Sequence, residues 1–580
     1  MDTGGESSSA GAAAHSAAAP SVPVLLRTTH SHLAIPLAPY MVPLSWRRSH
    51  LSTLVNRILQ PTTPTPLDFI VDGQLLRTSL AEYLESAGKD AESTLELLYV
   101  PSTLPPKYEG AFEHDDWVAS VDARGAAPSS GLIPGLAAST DKILLTASYD
   151  GAVRVWSHAN VEDALLTFNT SSAAAGSLNP SLVDAIWTAS SDNASANFVT
   201  AGMDGVIRAW NVPLSAWRHD PSATNGAAAA AAAAAKARPR PLWTGPASLT
   251  SAPLSSLHTT ADGNHVLAAA WDGTLSLWAS NPSANEESNA ASAFFVGQPD
   301  PEEEDEEEDG DEEAGDAGTK RSAHRKKRRT LARTKAAASA LAREPLQVMS
   351  HVPLASSLGL GTNTSSTTRV AGPNSKVSRA IFAAEQGSGS TSSWTAFSCG
   401  WDGAVKEWDL CVGGRSITSK SCDKVLLTMD QLHGASSSSA ILISGHMDRS
   451  AAIWDMRSDV ATPTLALPGA HTAPISALRT HPKNNNLFAT GSHDGTLKLW
   501  DTRSPRTALF SLTRPGGPSK GSSKDKTSSS KSKILAMDWD ASGKMLFSGG
   551  DDCKLSVHRG EGMDGAVESV SGKLKDVIMG

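Results

Sequence analysis

The chain is poor in cysteine: its 580 residues include only Cys399, Cys411, Cys422 and Cys553, with no CxxC pair among them. That excludes a disulfide-stapled scaffold and a cysteine-based zinc module. Long apolar runs are missing too, and none approaches the roughly 18–20 residues that cross a bilayer as a helix, so no membrane role is expected. The start, MDTGGESSSAGAAAHSAAAP, has neither the basic region nor the apolar run of a secretory signal, and the expected compartment is a reducing one, cytosol or nucleus. Enzyme signatures are absent: there is no P-loop, no HExxH and no G-x-S-x-G elbow. With 17 His and 60 acidic residues, accidental pairs carry no weight. The expectation is a protein with no catalytic residues, no cofactor and no metal held by this chain alone. Aromatics are scarce at 5%, yet Trp supplies 15 of the 31. A repeated unit that requires Trp would explain the skew.

Charge is uneven. Residues 300–316 carry 13 acids and residues 320–335 carry nine Lys or Arg, while the rest is close to balance within a net charge of −10. Like charges this dense cannot bury enough apolar surface to offset ordering entropy, so both runs are expected to be disordered. The basic cluster Arg325, Lys326, Lys327, Arg328 and Arg329 has the composition of a nuclear-import signal. No aromatic residues are interleaved with it to stack on bases, so RNA contact through it would be salt-sensitive and nonspecific.

One pattern recurs seven times, at 144–156, 199–210, 267–278, 397–408, 442–454, 488–500 and 546–558. An apolar run reaches Asp150, Asp204, Asp272, Asp402, Asp448, Asp494 or Asp552. Six residues later stands Trp156, Trp210, Trp278, Trp408, Trp454, Trp500 or, in the seventh copy, His558. Asp-Gly is a tight-turn signal and the alternation after it is that of a strand, so each copy predicts a β-hairpin. An isolated hairpin is marginal in water, and the 46-residue spacing of copies four to six leaves room for two further strands each. Four-stranded units packed on one another are expected. Low-complexity insertions fall near 219–240, 282–343 and 513–533.

These residues, with Trp408-Asp409, Trp454-Asp455 and Trp500-Asp501, resemble the WD-repeat family, which implies a seven-bladed β-propeller over 102–560, followed by a tail at 561–580. In that family a His, a Ser or Thr, the turn Asp and the Trp form a structural hydrogen-bonded tetrad. The resemblance assigns His471, Ser492, Asp494 and Trp500 in the sixth copy, and His114, Ser148, Asp150 and Trp156 in the first. A strand near 104–113 is the candidate that closes the last blade.

Beyond a disordered tail at 1–21, residues 22–101 read differently. Strand-like runs at 22–29 and 33–46 precede LSTLVNRIL, whose Leu51, Leu54, Val55, Ile58 and Leu59 share a helical face that Pro61 ends. Strands at 67–71, 74–77 and 94–100 follow, with a turn at Asp72-Gly73, a capping-box pattern from Ser79 and a helix stop at Gly88. The order is that of a ubiquitin-like β-grasp, making the fold mainly β with an α+β domain in front.

PLDFIVDGQLLRTSLAEYL (66–84), TLELLYV (94–100) and LPPKYEGAFEHDDWVASVD (104–122) resemble the Notchless-like domain of WD-repeat ribosome-biogenesis proteins, in particular the seven-bladed partners of Pescadillo-type and block-of-proliferation-type proteins. The acidic-then-basic insertion after the third copy fits that family. The resemblance implies a non-enzymatic assembly factor of the pre-60S particle, acting in large-subunit pre-rRNA processing in nucleus, nucleolus and nucleoplasm. It also implies that the ubiquitin-like domain completes the coordination of a Mg²⁺ held by the AAA ATPase midasin, and it selects Glu92 as that ligand. A Glu in a polar turn such as KDAES is by itself most simply solvated; Glu82, Glu85, Asp90 and Glu96 lie nearby and are not selected. A rival reading, a substrate receptor of a cullin-RING ubiquitin ligase, rests on Arg457 and Arg503 in two WDxR boxes.

Overall fold

The computed structural model describes residues 20–560 apart from 91, 124–132, 134–142, 159–163, 171–179, 191, 215–238, 247–248, 250–251, 282–340, 352–375, 385–393, 412, 433–440 and 515–531. The acidic run, the basic cluster Arg325–Arg329 and the alanine run all lie outside the described residues. The chain divides into two units, residues 1–104 and 105–580.

In the first unit, β1 (Ser21–Arg27), β2 (Pro39–Pro43), α1 (Arg48–Leu59), β3 (Leu67–Val71), β4 (Gln74–Leu75), α2 (Leu80–Ala87) and β5 (Leu95–Pro101) follow one another. The sheet order is β2-β1-β5-β3-β4. β1 and β5 run parallel, and the other pairs are antiparallel. Val22, Val24 and Leu26 on β1 and Leu95, Leu97 and Tyr99 on β5 face one way, as the two-residue strand period requires, and meet Leu51 and Val55 of α1 in one core. β2 is shorter than the 33–46 run predicted. Pro36 and Pro39 supply no N–H to a ladder, and Ser31–Leu33 forms a short 3₁₀ turn instead. α1 stops at Gln60, which takes a left-handed φ of 48° just before Pro61.

Among the described residues, the second unit contains seven four-stranded antiparallel sheets. Their innermost strands, Val118–Asp122, Leu182–Thr188, Leu254–Thr259, Val377–Phe382, Leu426–Gln431, Ile475–Thr480 and Ile534–Trp539, pack on one another in cyclic order, the last against the first. Each of the seven carries a register shift one residue after its start, for example between Val118 and Ser120 and between Ile475 and Ala477. A bulge repeated at one place twists every sheet alike, which a ring demands. The ring is closed by β6 (Lys107–Glu113), which pairs with Lys554–Arg559 as the outermost strand of the last sheet. Phe112 of β6 is fully buried there, and Lys554–Glu113 and Arg559–Glu109 ion pairs line the seam.

Two insertions sit inside sheets rather than between them. The charged insertion separates the third sheet's Thr274–Ala279 from its outermost strand Gln347–Ser350, and the alanine run separates Ile207–Pro213 from Arg240–Thr244 in the second. The sequence repeat ends at the third strand, so a gap between copies falls before the fourth.

Candidate functional site

All seven repeat Asp residues do the same local work. The Asp carboxylate accepts the backbone N–H two residues on, at Ala152, Val206, Thr274, Ala404, Ser450, Thr496 and Lys554. This is the side-chain turn for which Asp is favoured. The next residue takes positive φ: five times it is Gly, and in the fifth and seventh sheets it is Arg449 (75°) and Cys553 (57°).

The closing Trp donates its indole N–H to a hydroxyl ten residues earlier: Thr146, Thr200, Ser398, Ser444 and Thr490, at 2.7–3.1 Å. In the third sheet that place is Ala268, and Trp278 turns to Ser276 at 2.9 Å. The tetrad hydroxyl of the sixth sheet is therefore Thr490, not Ser492, and that of the first is Thr146, not Ser148. The register is the reason. Phe488 faces Trp500 and Thr490 faces Lys498, so Thr490 is the diagonal neighbour of the indole, whereas Ser492 lies beyond it at the hairpin end. There Ser492 donates to the Ala473 carbonyl and accepts from the Asp494 N–H.

His471 completes this chain, with Nε2 2.7 Å from Thr490 Oγ1 and Nδ1 3.2 Å from Asp494. The bonds are mutually consistent for a neutral ring: the indole donates to Thr490, Thr490 donates to Nε2, and Nδ1–H donates to Asp494. Burial lowers the His471 pKa to about 4, and hydrogen bonds from Thr496 and from the Thr472 and Thr496 amides hold Asp494 well below the usual carboxylate range despite its burial. The same constellation recurs as His351–Ser398–Asp402–Trp408. In the fifth sheet His446, within its own strand, takes the histidine's place. In the first, His114 reaches Thr146 at 2.9 Å, but Asp150 is engaged by Arg154 instead. In the seventh, buried Arg514 bonds Asp552 and Ser556 beside His558.

Bonds between neighbouring sheets add to these. Asp122 accepts from Trp187 N, Asp184 from Leu257 N, Asp430 from Thr480 N and Asp538 from Ala123 N. The polar clusters of the ring thus hold strands in register. Among the described residues no group of three His, Cys, Asp or Glu could hold a metal ion, and no helix is long and apolar enough to cross a membrane.

Other exposed features lie elsewhere. Glu92 is exposed in the turn between α2 and β5, and its carboxylate pairs with none of the described residues. Among its neighbours, Glu96 is held by Arg27 at 2.6 Å, and Asp90 caps the turn through its carbonyl, 2.9 Å from Ser93 Oγ. On the ring, the residue just before each turn Asp is Tyr149, Met203, Trp271, Trp401, Met447, His493 and Asp551. Equivalent turns place these at one end of the seven sheets. Met447 is 52% and Trp271 36% exposed, and Trp117, 45% exposed, stacks edge-on against Tyr149. Lys376 Nζ lies 4.2 Å from the Trp271 ring and 4.4 Å from that of Trp401. The sequence reading missed this arc, although the seven aligned turns would have shown it. Arg457 and Arg503 each fold back in a two-pronged bond onto Asp455 and Asp501.

Comparison with known proteins agrees with this geometry. The NLE (NUC135) domain model matches residues 22–84, and the WD domain, G-beta repeat model matches 111–157, 240–279, 462–501 and 522–559. "Ribosome biogenesis protein ytm1" of Aspergillus oryzae is 27% identical over 97% of this chain and 99% of its own. The protein of that name from Aspergillus terreus is 28% identical (95% and 98% covered), and that from Laccaria bicolor 29% (92% and 94%). The chain is thus similar to the NLE domain at its N-terminus, to the WD repeat in four stretches beyond it, and along nearly its whole length to proteins named ribosome biogenesis protein Ytm1.

Proposed function

We propose that this protein is a non-enzymatic assembly factor of the large ribosomal subunit, working in nucleolus and nucleoplasm on the pre-60S particle and its pre-rRNA processing. The observation that carries the reading is similarity to ribosome biogenesis proteins across both units, not across the repeats alone. The seven sheets act as seven blades of one propeller that holds a block-of-proliferation-type protein and, with it, a Pescadillo-type protein. The aromatic arc suits this role, since exposed Trp, Tyr and Met are the side chains that anchor protein interfaces. The ubiquitin-like unit offers Glu92 to a Mg²⁺ held by midasin, so that ATP-driven pulling releases the factor. Mg²⁺ takes oxygen ligands in octahedral geometry and keeps open positions for a partner's carboxylate; an unpaired, exposed Glu is the group such a site requires. The cluster Arg325–Arg329 serves nuclear import.

The test is capture of full-length protein by the Mg²⁺-loaded metal-site domain of midasin. Wild type binds and chelation of Mg²⁺ releases it, whereas Glu92→Ala does not bind. Equal capture of both removes Glu92 from the mechanism. A cullin adaptor bound through Arg457 and Arg503 would instead support the receptor reading; both guanidinium groups are already engaged within the chain.

A further inference from the structure

We infer that Asp72, Lys89 and Tyr83 form a positioning network for Glu92: Asp72 pins the turn that presents the Glu92 carboxylate and holds the ammonium of Lys89, three residues before it, away from that carboxylate. The inference rests on the proposed role of Glu92 and deepens it.

α2 ends at Gly88, with φ 62° and the Lys89 N–H returning to the Leu84 carbonyl at 3.0 Å. This cap fixes where the chain leaves the helix. Lys89 then reaches sideways to the β3–β4 turn, where its Nζ lies 2.5 Å from Asp72 Oδ2. Tyr83, on α2, donates its hydroxyl to the same oxygen at 2.6 Å. One carboxylate thus ties the β3–β4 turn, α2 and the first residue of the Glu92 turn. The far side of the turn is fixed as well: Ser93 returns to the Asp90 carbonyl, and Leu95 enters the sheet opposite Val24. Glu92 stands between two anchored ends.

The second consequence is electrostatic. Lys89 is three residues from Glu92. Released from Asp72, its ammonium could fold onto the Glu92 carboxylate or repel a divalent cation brought by a partner. Paired with Asp72, it leaves Glu92 facing outward as an unopposed anion. Hydrogen bonds from Lys89 and Tyr83 hold the Asp72 carboxyl below the usual range, and burial and Asp72 push the Tyr83 phenol up to about 12, so across neutral pH Asp72 stays an acceptor and Tyr83 keeps the proton it donates.

Two substitutions separate pinning from masking. Asp72→Asn loses the pin and frees the cation, whereas Lys89→Met loses the pin and the cation together. Two readouts on the full-length chain are amide hydrogen exchange of residues 88–95 and affinity for the Mg²⁺-loaded midasin domain at two salt concentrations. Exchange should accelerate about tenfold in both variants with α1 unchanged. Affinity should fall about tenfold or more in Asp72→Asn at low salt and less in Lys89→Met, with the gap between them narrowing at high salt. Lys89→Arg should restore both readouts. Wild-type exchange in both variants overturns the pin, and equal, salt-insensitive affinities overturn the masking. Wild-type affinity in Glu92→Ala refutes the role of Glu92 itself, separately from the exchange result.

Discussion

Replacing Thr490 by Val tests the register on which the sixth sheet depends. Val has the shape of Thr and suits a strand, so the change removes a hydroxyl and little else. That hydroxyl serves the Trp500 indole N–H at 2.8 Å and His471 Nε2 at 2.7 Å, and both partners are buried. Each buried group left unsatisfied costs about 1–3 kcal/mol, so Thr490→Val should destabilise the WD unit by about 2–6 kcal/mol. Ser492→Ala removes two bonds at the hairpin end, at 3.0 and 3.2 Å, and at about 0.5–1.5 kcal/mol each should cost less, about 1–3 kcal/mol. Urea unfolding of the full-length chain followed by Trp fluorescence measures this, because 14 of the 15 Trp residues lie beyond residue 104. A cost for Ser492→Ala equal to or above that of Thr490→Val would refute the assignment, as would a Thr490→Val cost under about 0.5 kcal/mol.

Acid should weaken the ring through its buried histidines. His114, His446, His471 and His558 each have a pKa lowered to about 4, burial being the largest cause. Between about pH 6.5 and 4 the unfolded chain binds protons that the folded chain does not, so stability falls with pH across that window, by up to about 3 kcal/mol per histidine. Urea midpoints that stay flat from pH 6.5 to 4.5 would contradict this. Arg449→Gly and Cys553→Gly relieve a left-handed backbone at 75° and 57° and should each raise stability by about 1 kcal/mol, read from the same midpoints. Phe112→Ala empties the core under the closing strand and should cost about 3–5 kcal/mol. Trp117→Ala with Trp271→Ala should leave stability within about 1 kcal/mol but weaken capture of the block-of-proliferation-type partner at least tenfold; unchanged capture would move that interface off the arc.

The hairpins were legible because everything that makes them is local. Asp at one end, Trp six residues on and alternation between them are fixed by turn and strand geometry within a dozen residues. The tetrad hydroxyl was not read correctly, because Thr490 and Ser492 point to the same side of one strand. Choosing between them takes the pairing of Phe488 with Trp500, which the strand's own sequence does not contain. The bonds from Asp122, Asp184, Asp430 and Asp538 were invisible for a related reason: each joins residues 50 or more positions apart. In the first unit the helical face of Leu51 and Val55 followed from its period, while Pro36 and Pro39 shortened a run that apolar content alone would have made a full strand. The turn holding Glu92 was legible from Gly88 and the strand beginning at Leu95. The network that steadies it was not, since Asp72 and Lys89 are brought together only by the sheet.

The most direct measurement is affinity purification of the tagged full-length chain from nuclear extract, with Glu92→Ala beside it and a protein inventory of both eluates. The account predicts pre-60S components with Pescadillo-type and block-of-proliferation-type proteins in both, and midasin with wild type only. An eluate dominated by a cullin adaptor, with no ribosomal precursor in either sample, would contradict it.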